Sequence, residues 1–212
     1  SILLESSDYH ASDNSFSYIC CNPIASFKVE NNQIITQFPD GRIENRIIDK
    51  TVSVPNEMTQ FIQKFEVSGP DLKFAYNGLF GFTSYDGVRY FEKITINPKE
   101  NSLAIPEMYY AIYQNVIAIN HFKNEAYIFC HSLDKSSNIG EIEQLLQVKN
   151  FASFSFSKVG ETISNLTDDT FKEYVALAKK HCHRGDVFQL VLSRRFSQSF
   201  KGDEFNVYRA LR

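Results

Sequence analysis

The sequence predicts an α+β fold built on antiparallel β-sheet, and two hairpin patterns support this class. Residues 33–38 and 42–48 flank a Pro-Asp-Gly turn at 39–41, in which proline fixes φ and glycine accepts positive φ. Residues 109–120 and 126–131 both alternate apolar and polar side chains across a short polar turn. Because hairpins join neighbouring strands, we expect antiparallel sheets rather than a doubly wound parallel one.

Composition places the chain among ordinary globular proteins. Its 212 residues are 43% hydrophobic and 22% charged. The formal net charge of −3 gives no electrostatic reason to expect nucleic acid or an anionic membrane as a partner. No apolar run approaches the ~20 residues of a membrane span, and the N-terminus lacks a signal-peptide pattern. We therefore predict a cytoplasmic protein.

The first half of the chain predicts short strands and one helix. Residues 17–19 and 26–30 are expected to be separate strands. Pro55 is expected to open a helix that ends at 68–70. The strand predicted at 78–84 contains Gly81, which indicates a close backbone neighbour. The helix has an apolar stripe of Met58, Phe61, Ile62 and Phe65.

Further along, a short helical turn is expected through Val88 and Tyr90, and a helix at 139–148. The Ser-rich stretch that follows is weakly periodic and is predicted to be a linker over residues 151–166. It separates a region at 1–150 from a last region at 167–212.

Residues 168–200 predict a long helix followed by a strand. Thr167 or Asp168 can cap the helix, and Gly185 can end it in the left-handed conformation. The strand is predicted from Phe188 to Phe196 by its period-two apolar face. The helix stripe that should face a core consists of Phe171, Val175, Ala178 and Cys182.

The other face of that predicted strand sets Gln189 between Val187 and Val191. Burying an unpaired amide there would cost about 1–3 kcal/mol, so Gln189 should have a hydrogen-bond partner. That partner could be a neighbouring backbone group or a ligand, and the residues alone leave both interpretations open.

Three segments carry a family resemblance. They are GDVFQLVLSRRF at 185–196, LLES at 3–6 and NGLFGFTSYDGVRYFE at 77–92. Taken in their order along the chain, they resemble the N-terminal half of anthranilate synthase component I, a family of chorismate-utilising enzymes. The resemblance covers essentially the whole chain and implies antiparallel sheets packed together with flanking helices. It also implies that residues 167–212 begin the chorismate-binding domain and that the chain is truncated.

The resemblance implies a lyase reaction in tryptophan biosynthesis. Chorismate takes ammonia from a glutamine amidotransferase subunit, component II, and loses pyruvate to give anthranilate. Mg²⁺ would be held by residues downstream of this chain, and tryptophan would act as a feedback inhibitor. The chain alone is therefore expected to be inactive.

The resemblance also implies two sites. Leu4, Glu5 and Ser6 match the segment that helps bind tryptophan, although an ordinary edge strand ending in a polar turn would read the same way. Ser15 stands where many relatives carry arginine. Gln189 matches a position where relatives that add water to chorismate carry a lysine, which can serve as a general base.

An amide cannot accept a proton at neutral pH, so Gln189 favours a relative whose nucleophile is ammonia. This suits anthranilate synthase and, as an alternative, the large subunit of aminodeoxychorismate synthase. A third hypothesis is an isolated module that only binds tryptophan or docks the amidotransferase.

No metal site is predicted within the chain. Four cysteines occur without a C-x-x-C pair, and we expect them to be small buried apolar residues. His181 and His183 are two positions apart on a predicted helix, so their rings point to different faces and cannot share one ion.

Overall fold

A computed structural model describes residues 1–5, 15–96, 105–134, 136–149 and 155–212. The chain divides into two compact units, Ser1–Val148 and Lys149–Arg212, which we call unit 1 and unit 2. Both units combine antiparallel strands with helices, so each is of the α+β class.

Unit 1 is organised on an antiparallel sheet in which seven strands are described. The central path runs β4-β3-β2-β6-β5, while β1 pairs with β2 and β7 pairs with β6. The strands are β1 Ile2–Leu4, β2 Phe16–Glu30, β3 Gln33–Gln37, β4 Ile43–Ile47, β5 Phe80–Thr83, β6 Met108–Asn120 and β7 Glu125–Cys130. Both predicted hairpins, β3–β4 and β6–β7, are confirmed.

The long strands β2 and β6 form the middle of this sheet. The prediction of two separate strands at 17–19 and 26–30 is wrong, because β2 runs continuously through both. Its pairing with β6 shifts between Pro23 and Ala25, and Asn22 takes a positive φ of 58°. A bulge therefore absorbs the proline, and the strand continues past it.

Helix α1, Val54–Ile62, covers one part of the sheet. Ser53 Oγ accepts a hydrogen bond from the Asn56 N–H, and Phe61 is 2% exposed. The predicted end at 68–70 is wrong, since α1 ends at Ile62, although Phe65 still packs against the core. The buried core beneath it consists of Ala25, Phe27, Val29, Ile34, Phe38, Val54, Phe61, Met108 and Ile112.

Strand β5 confirms the close approach predicted at Gly81. A Cβ on this residue would lie 1.9 Å from the Tyr109 carbonyl oxygen of β6, so no larger side chain fits. A 3-10 helix, Tyr85–Tyr90, follows directly. Helix α2, Ile139–Gln147, then packs on the sheet through Ile142, which is buried, and confirms the predicted helix at 139–148.

Unit 2 contains two antiparallel strands, β8 Ser157–Ser164 and β9 Phe196–Lys201, and two helices, α3 Asp168–Arg184 and α4 Phe205–Leu211. Helix α3 lies between the two strands in sequence. The linker predicted at 151–166 is wrong over β8. A serine-rich segment with little apolar content becomes a strand because β9 supplies its hydrogen-bond partners. Residues 150–154 lie outside the described residues.

The ends of α3 are as predicted. Thr167 Oγ1 accepts a hydrogen bond from the Thr170 N–H, and Gly185 is left-handed at φ 78°. The predicted stripe is the less exposed face of α3 but is not buried: Phe171, Val175 and Ala178 are half-buried, and Cys182 is exposed. The prediction that the cysteines are buried holds for Cys20, whereas Cys21 and Cys130 are partly exposed.

No helix among the described residues is long and apolar enough to cross a membrane.

Candidate functional site

The segment predicted to bind an effector lies at an edge of the sheet in unit 1. In β1, Leu4 is the cross-strand partner of Tyr18 in β2. Leu4 packs against the smaller buried cluster of unit 1, which contains Phe80 and Val116. Glu5 follows at the end of the strand, and Ser6 lies outside the described residues. The edge-strand interpretation is therefore confirmed for Leu4, while its role in binding stays a prediction.

An aromatic cluster surrounds this edge, and sequence reasoning did not find it. The ring of Tyr18 lies 5.6 Å from that of Phe80, and the ring of Phe74 lies 4.8 Å from Phe16 and 5.0 Å from Tyr127. Aromatic pairs at such distances are mutually attractive. The cluster draws on three segments that are distant in sequence, at 16–18, 74–80 and 127–129, and only the high content of phenylalanine and tyrosine hinted at it.

Ser15, which stands where many relatives carry arginine, directly precedes β2. Its side chain is 5% exposed, and its carbonyl accepts a hydrogen bond from the His121 N–H. Ser17 Oγ lies 2.6 Å from His121 Nε2. This pair resembles the nucleophile and base of a hydrolase, but Ser17 is only 2% exposed and no substrate can reach its hydroxyl. The pair is therefore structural.

Gln189 occupies a different environment from the one the sequence predicts. The strand predicted from Phe188 to Phe196 is wrong, because β9 begins only at Phe196 and residues 187–195 are irregular. No described strand pairs with them, and an isolated extended segment has no hydrogen-bond ladder. Gln189 is exposed, so the argument from a buried amide does not apply here. Its proposed role depends on the resemblance.

The histidines at the end of α3 make a charged cluster without metal-binding geometry. Asp186 Oδ2 lies 2.8 Å from His181 Nδ1 and accepts a hydrogen bond from Arg184. The Arg184 guanidinium, together with His181, lowers the pKa of Asp186. Across the described part of the chain, no group of three or more histidine, cysteine or acidic side chains could hold a metal ion.

The segment 77–92 has a structural role in unit 1. Arg89 donates to the Glu107 carboxylate, and Tyr90 Oη donates to Glu107 Oε2 at 2.7 Å. Burial, followed by the hydrogen bond to Glu107, raises the pKa of Tyr90 to about 12. These contacts attach the 3-10 helix to the residue that precedes β6. They thereby help to hold β5, which lies directly before that helix in sequence and contributes Phe80 to the aromatic cluster.

Comparisons with known proteins identify a family and relatives that match this chain. A family model described as "chorismate binding enzyme" matches residues 3–212. Anthranilate synthase component 1 of Lactococcus lactis is 30% identical to this chain. The match covers 100% of this chain and 46% of the relative. Anthranilate synthase alpha subunit 1 of Arabidopsis thaliana is 27% identical, over 86% of this chain and 35% of the relative.

A solved structure agrees with the fold. The crystal structure of anthranilate synthase component I from Streptococcus pneumoniae superposes with a TM-score of 0.63 at 21% identity, over 99% of this chain and 48% of that one. The predicted fold class is thereby confirmed. This chain spans about half the length of the relatives it matches. Because the family model matches nearly every residue, the chain belongs to the chorismate binding enzyme family.

Proposed function

We propose that this chain is the N-terminal part of an anthranilate synthase component I, a lyase that forms anthranilate and pyruvate from chorismate and ammonia. The observation that carries the proposal is the similarity to the Lactococcus lactis component 1 along the entire chain. The other relatives named above are also anthranilate synthase subunits, which favours this reaction over formation of aminodeoxychorismate.

Gln189 is proposed to face the reacting part of chorismate. Ammonia is nucleophilic without losing a proton first, so a side chain that cannot act as a base is sufficient at this position. Gln189 and Val191 are both exposed in unit 2, and a further segment would have to cover them to exclude water from the reaction. We therefore expect the 212-residue chain alone to show no turnover.

Tryptophan is proposed to bind beside β1 as a feedback inhibitor. The aromatic cluster around Tyr18 could pack against an indole ring, since such rings attract one another in offset or edge-on arrangements. Polar groups at the end of β1, including the Ser6 hydroxyl, would bind the α-ammonium and carboxylate groups. A glutamine amidotransferase subunit is the proposed source of ammonia, and Mg²⁺ is assigned to no residue of this chain.

A chimaera tests the reaction. This chain would replace the matching segment of the Lactococcus lactis relative, and the product formed from chorismate, Mg²⁺ and excess ammonium would be identified by chromatography. We expect anthranilate. Aminodeoxychorismate as the product would favour the alternative enzyme. A folded chimaera with no product would contradict the proposal if the parent relative is active in parallel.

Two substitutions in the same chimaera test the sites separately. Ser6→Phe should relieve inhibition by tryptophan while turnover is retained, because it fills the effector site only. Gln189→Lys should reduce formation of anthranilate and permit addition of water, because it introduces a base. Inhibition that survives Ser6→Phe would contradict the effector site, and unchanged products from Gln189→Lys would contradict the role of Gln189.

A further inference from the structure

Strand β4 forms a free edge of the sheet in unit 1. Among the strands that the structure describes, it pairs with β3 only, and its five residues are all exposed. Ile43 is 59% exposed and Ile47 is 68% exposed. An exposed edge strand with apolar side chains is a template for pairing with another strand, and proteins usually protect such edges.

The hydrogen-bond pattern shows which residues of β4 present free backbone groups. The Phe38 N–H donates to the Arg42 carbonyl, and the Ile48 N–H donates to the Asn32 carbonyl. Hydrogen-bonded positions alternate along an antiparallel ladder, so even-numbered residues of this strand point their backbone groups toward β3. The backbone groups of Ile43, Asn45 and Ile47 therefore point outward.

The sequence of β4 is complementary to itself. If two copies pair antiparallel about Asn45, then Ile43 faces Ile47 of the second copy and Glu44 faces Arg46 of the second copy. Apolar side chains meet apolar ones and opposite charges meet, which stabilises cross-strand pairs. Outward-pointing residues also face one another, so about six backbone hydrogen bonds can form.

Neighbouring registers are unfavourable. A shift that keeps the outward residues opposite each other would place Glu44 against Glu44, or Arg46 against Arg46, of the second copy. A shift by one residue would place the outward-pointing residues of one copy opposite even-numbered residues of the second copy, whose backbone groups are already bonded to β3. Only pairing about Asn45 satisfies both the charges and the backbone.

The charged side chains have capacity for a second partner. Arg46 Nη1 donates to Glu57 Oε1 at 2.5 Å, which uses one of five guanidinium donors. Glu44 Oε1 accepts from Arg42 Nη1 at 2.7 Å, and each carboxylate oxygen can accept more than one hydrogen bond. The groups of a second copy can therefore be added without breaking the existing contacts.

We propose that β4 is a self-association edge, through which two copies of this chain join into one continuous antiparallel sheet with a twofold axis at Asn45. The interface is isologous, because the same five residues contribute from each copy. This surface is distinct from β1 and from the aromatic cluster, so the proposal does not depend on the proposed enzymatic function.

Cysteine cross-linking tests the register. In a Cys182→Ser background, which removes the exposed native thiol, Asn45→Cys should form a disulfide-linked dimer under mild oxidation. Cα atoms of a hydrogen-bonded antiparallel pair are about 5.5 Å apart, within the range that a disulfide spans. Glu44→Cys and Arg46→Cys are the matched controls and should cross-link much more slowly. Equal cross-linking at all three positions, or none at position 45, would overturn the proposal.

Charge reversal tests the side-chain pairs by sedimentation. Glu44→Arg or Arg46→Glu should each weaken dimerisation about tenfold or more, because two symmetric ion pairs become repulsive. The double variant E44R/R46E restores opposite charges between copies and should recover the dimer. It does not restore the contacts to Arg42 and Glu57 within each copy, so recovery reports pairing between copies.

The remaining outcomes are also decisive. Circular dichroism would check that each variant folds. A folded chain that stays monomeric at all concentrations would overturn the proposal. So would a dimer that is indifferent to every substitution in β4, since association through another surface, such as the exposed apolar residues of unit 2, would then explain it.

Discussion

The two units differ in where their apolar side chains lie. In unit 1, Phe27 and Val29 are 0% exposed and Phe61 is 2% exposed. In unit 2 no described residue is buried, and Phe188 is 105% exposed. Each unit has a helix with a side-chain cap at its N-terminus, Ser53 for α1 and Thr167 for α3, so local signals can specify a helix in either unit. Burial is what separates the units, and burial supplies most of the free energy of folding.

The largest expected effect comes from producing the two units separately. Residues 1–148 should unfold in urea in one cooperative transition, because they contain their own core. Residues 149–212 should show no cooperative transition, since they bury too little apolar surface to offset the loss of chain entropy. Circular dichroism and tryptic digestion would follow both. Cooperative unfolding of the second fragment alone would break the comparison.

A matched pair of phenylalanine truncations should show the next largest difference. Phe27→Ala should lower the free energy of unfolding of the chain by about 3–5 kcal/mol, because it leaves a cavity in a closed core. Phe188→Ala should change it by less than about 0.5 kcal/mol, because that ring is fully exposed. Urea titrations monitored by tyrosine fluorescence measure both values, and equal losses would show that Phe188 has a buried environment.

Gly81 tests how tightly the sheet of unit 1 is packed. Gly81→Ala should cost about 1–3 kcal/mol, because the new Cβ meets the Tyr109 carbonyl and forces the strands apart. Gly140→Ala is the control, since nothing lies within 4 Å of its Cβ position. It should be neutral or slightly stabilising in helix α2. A neutral Gly81→Ala would mean that β5 and β6 separate without cost.

Ionisation of Tyr90 should lower the stability of unit 1 at alkaline pH. Burial, aided by the hydrogen bond to Glu107, raises the pKa of Tyr90 to about 12. A raised folded-state pKa means that this contribution to stability is fully present below the unfolded value, near 10, and is lost as the pH rises through about 12. Tyr90→Phe should remove that alkaline loss, as melting temperatures between about pH 8 and 12 would show.

Protonation of Asp168 should lower the stability of unit 2 at acidic pH, by a smaller amount. The hydrogen bond from Arg194 lowers the pKa of the Asp168 carboxyl. Its contribution is therefore present above the unfolded carboxyl pKa and is lost as the pH falls through the folded value. Arg194→Gln should return the pKa of Asp168 to its usual range in an NMR titration. Because Asp168 is exposed, the effect on stability should be slight.

Local features of this fold could be predicted from the sequence. The turn at 39–41, the Thr167 cap and the left-handed Gly185 each depend on a few adjacent residues, and all three are present. Gly81 itself indicated a close backbone neighbour, although the sequence did not identify that neighbour as Tyr109 of β6. The position of Leu4 at a sheet edge follows from a short apolar run before a polar segment.

Features that depend on distant partners could not be predicted. The strand expected from Phe188 to Phe196 fails because nothing described pairs with residues 187–195, and β8 was missed because β9 supplies its pairing. The aromatic cluster around Phe74 needs three separate segments. The environment of Gln189 likewise depends on which segment packs over it, and the neighbouring residues in the sequence do not indicate that segment.

The contacts of Glu107 with Arg89 and Tyr90 have a consequence for the residues between them. Both contacts join residues 89 and 90 to residue 107, so the chain leaves the 3-10 helix and re-enters the sheet at one fastened point. Closing a longer loop costs only about 0.6 kcal/mol per doubling of its length. We expect that a peptide tag or fluorescent label inserted between residues 91 and 106 would leave β5 and β6 aligned, because the contacts of Glu107 hold the two ends of the insertion together.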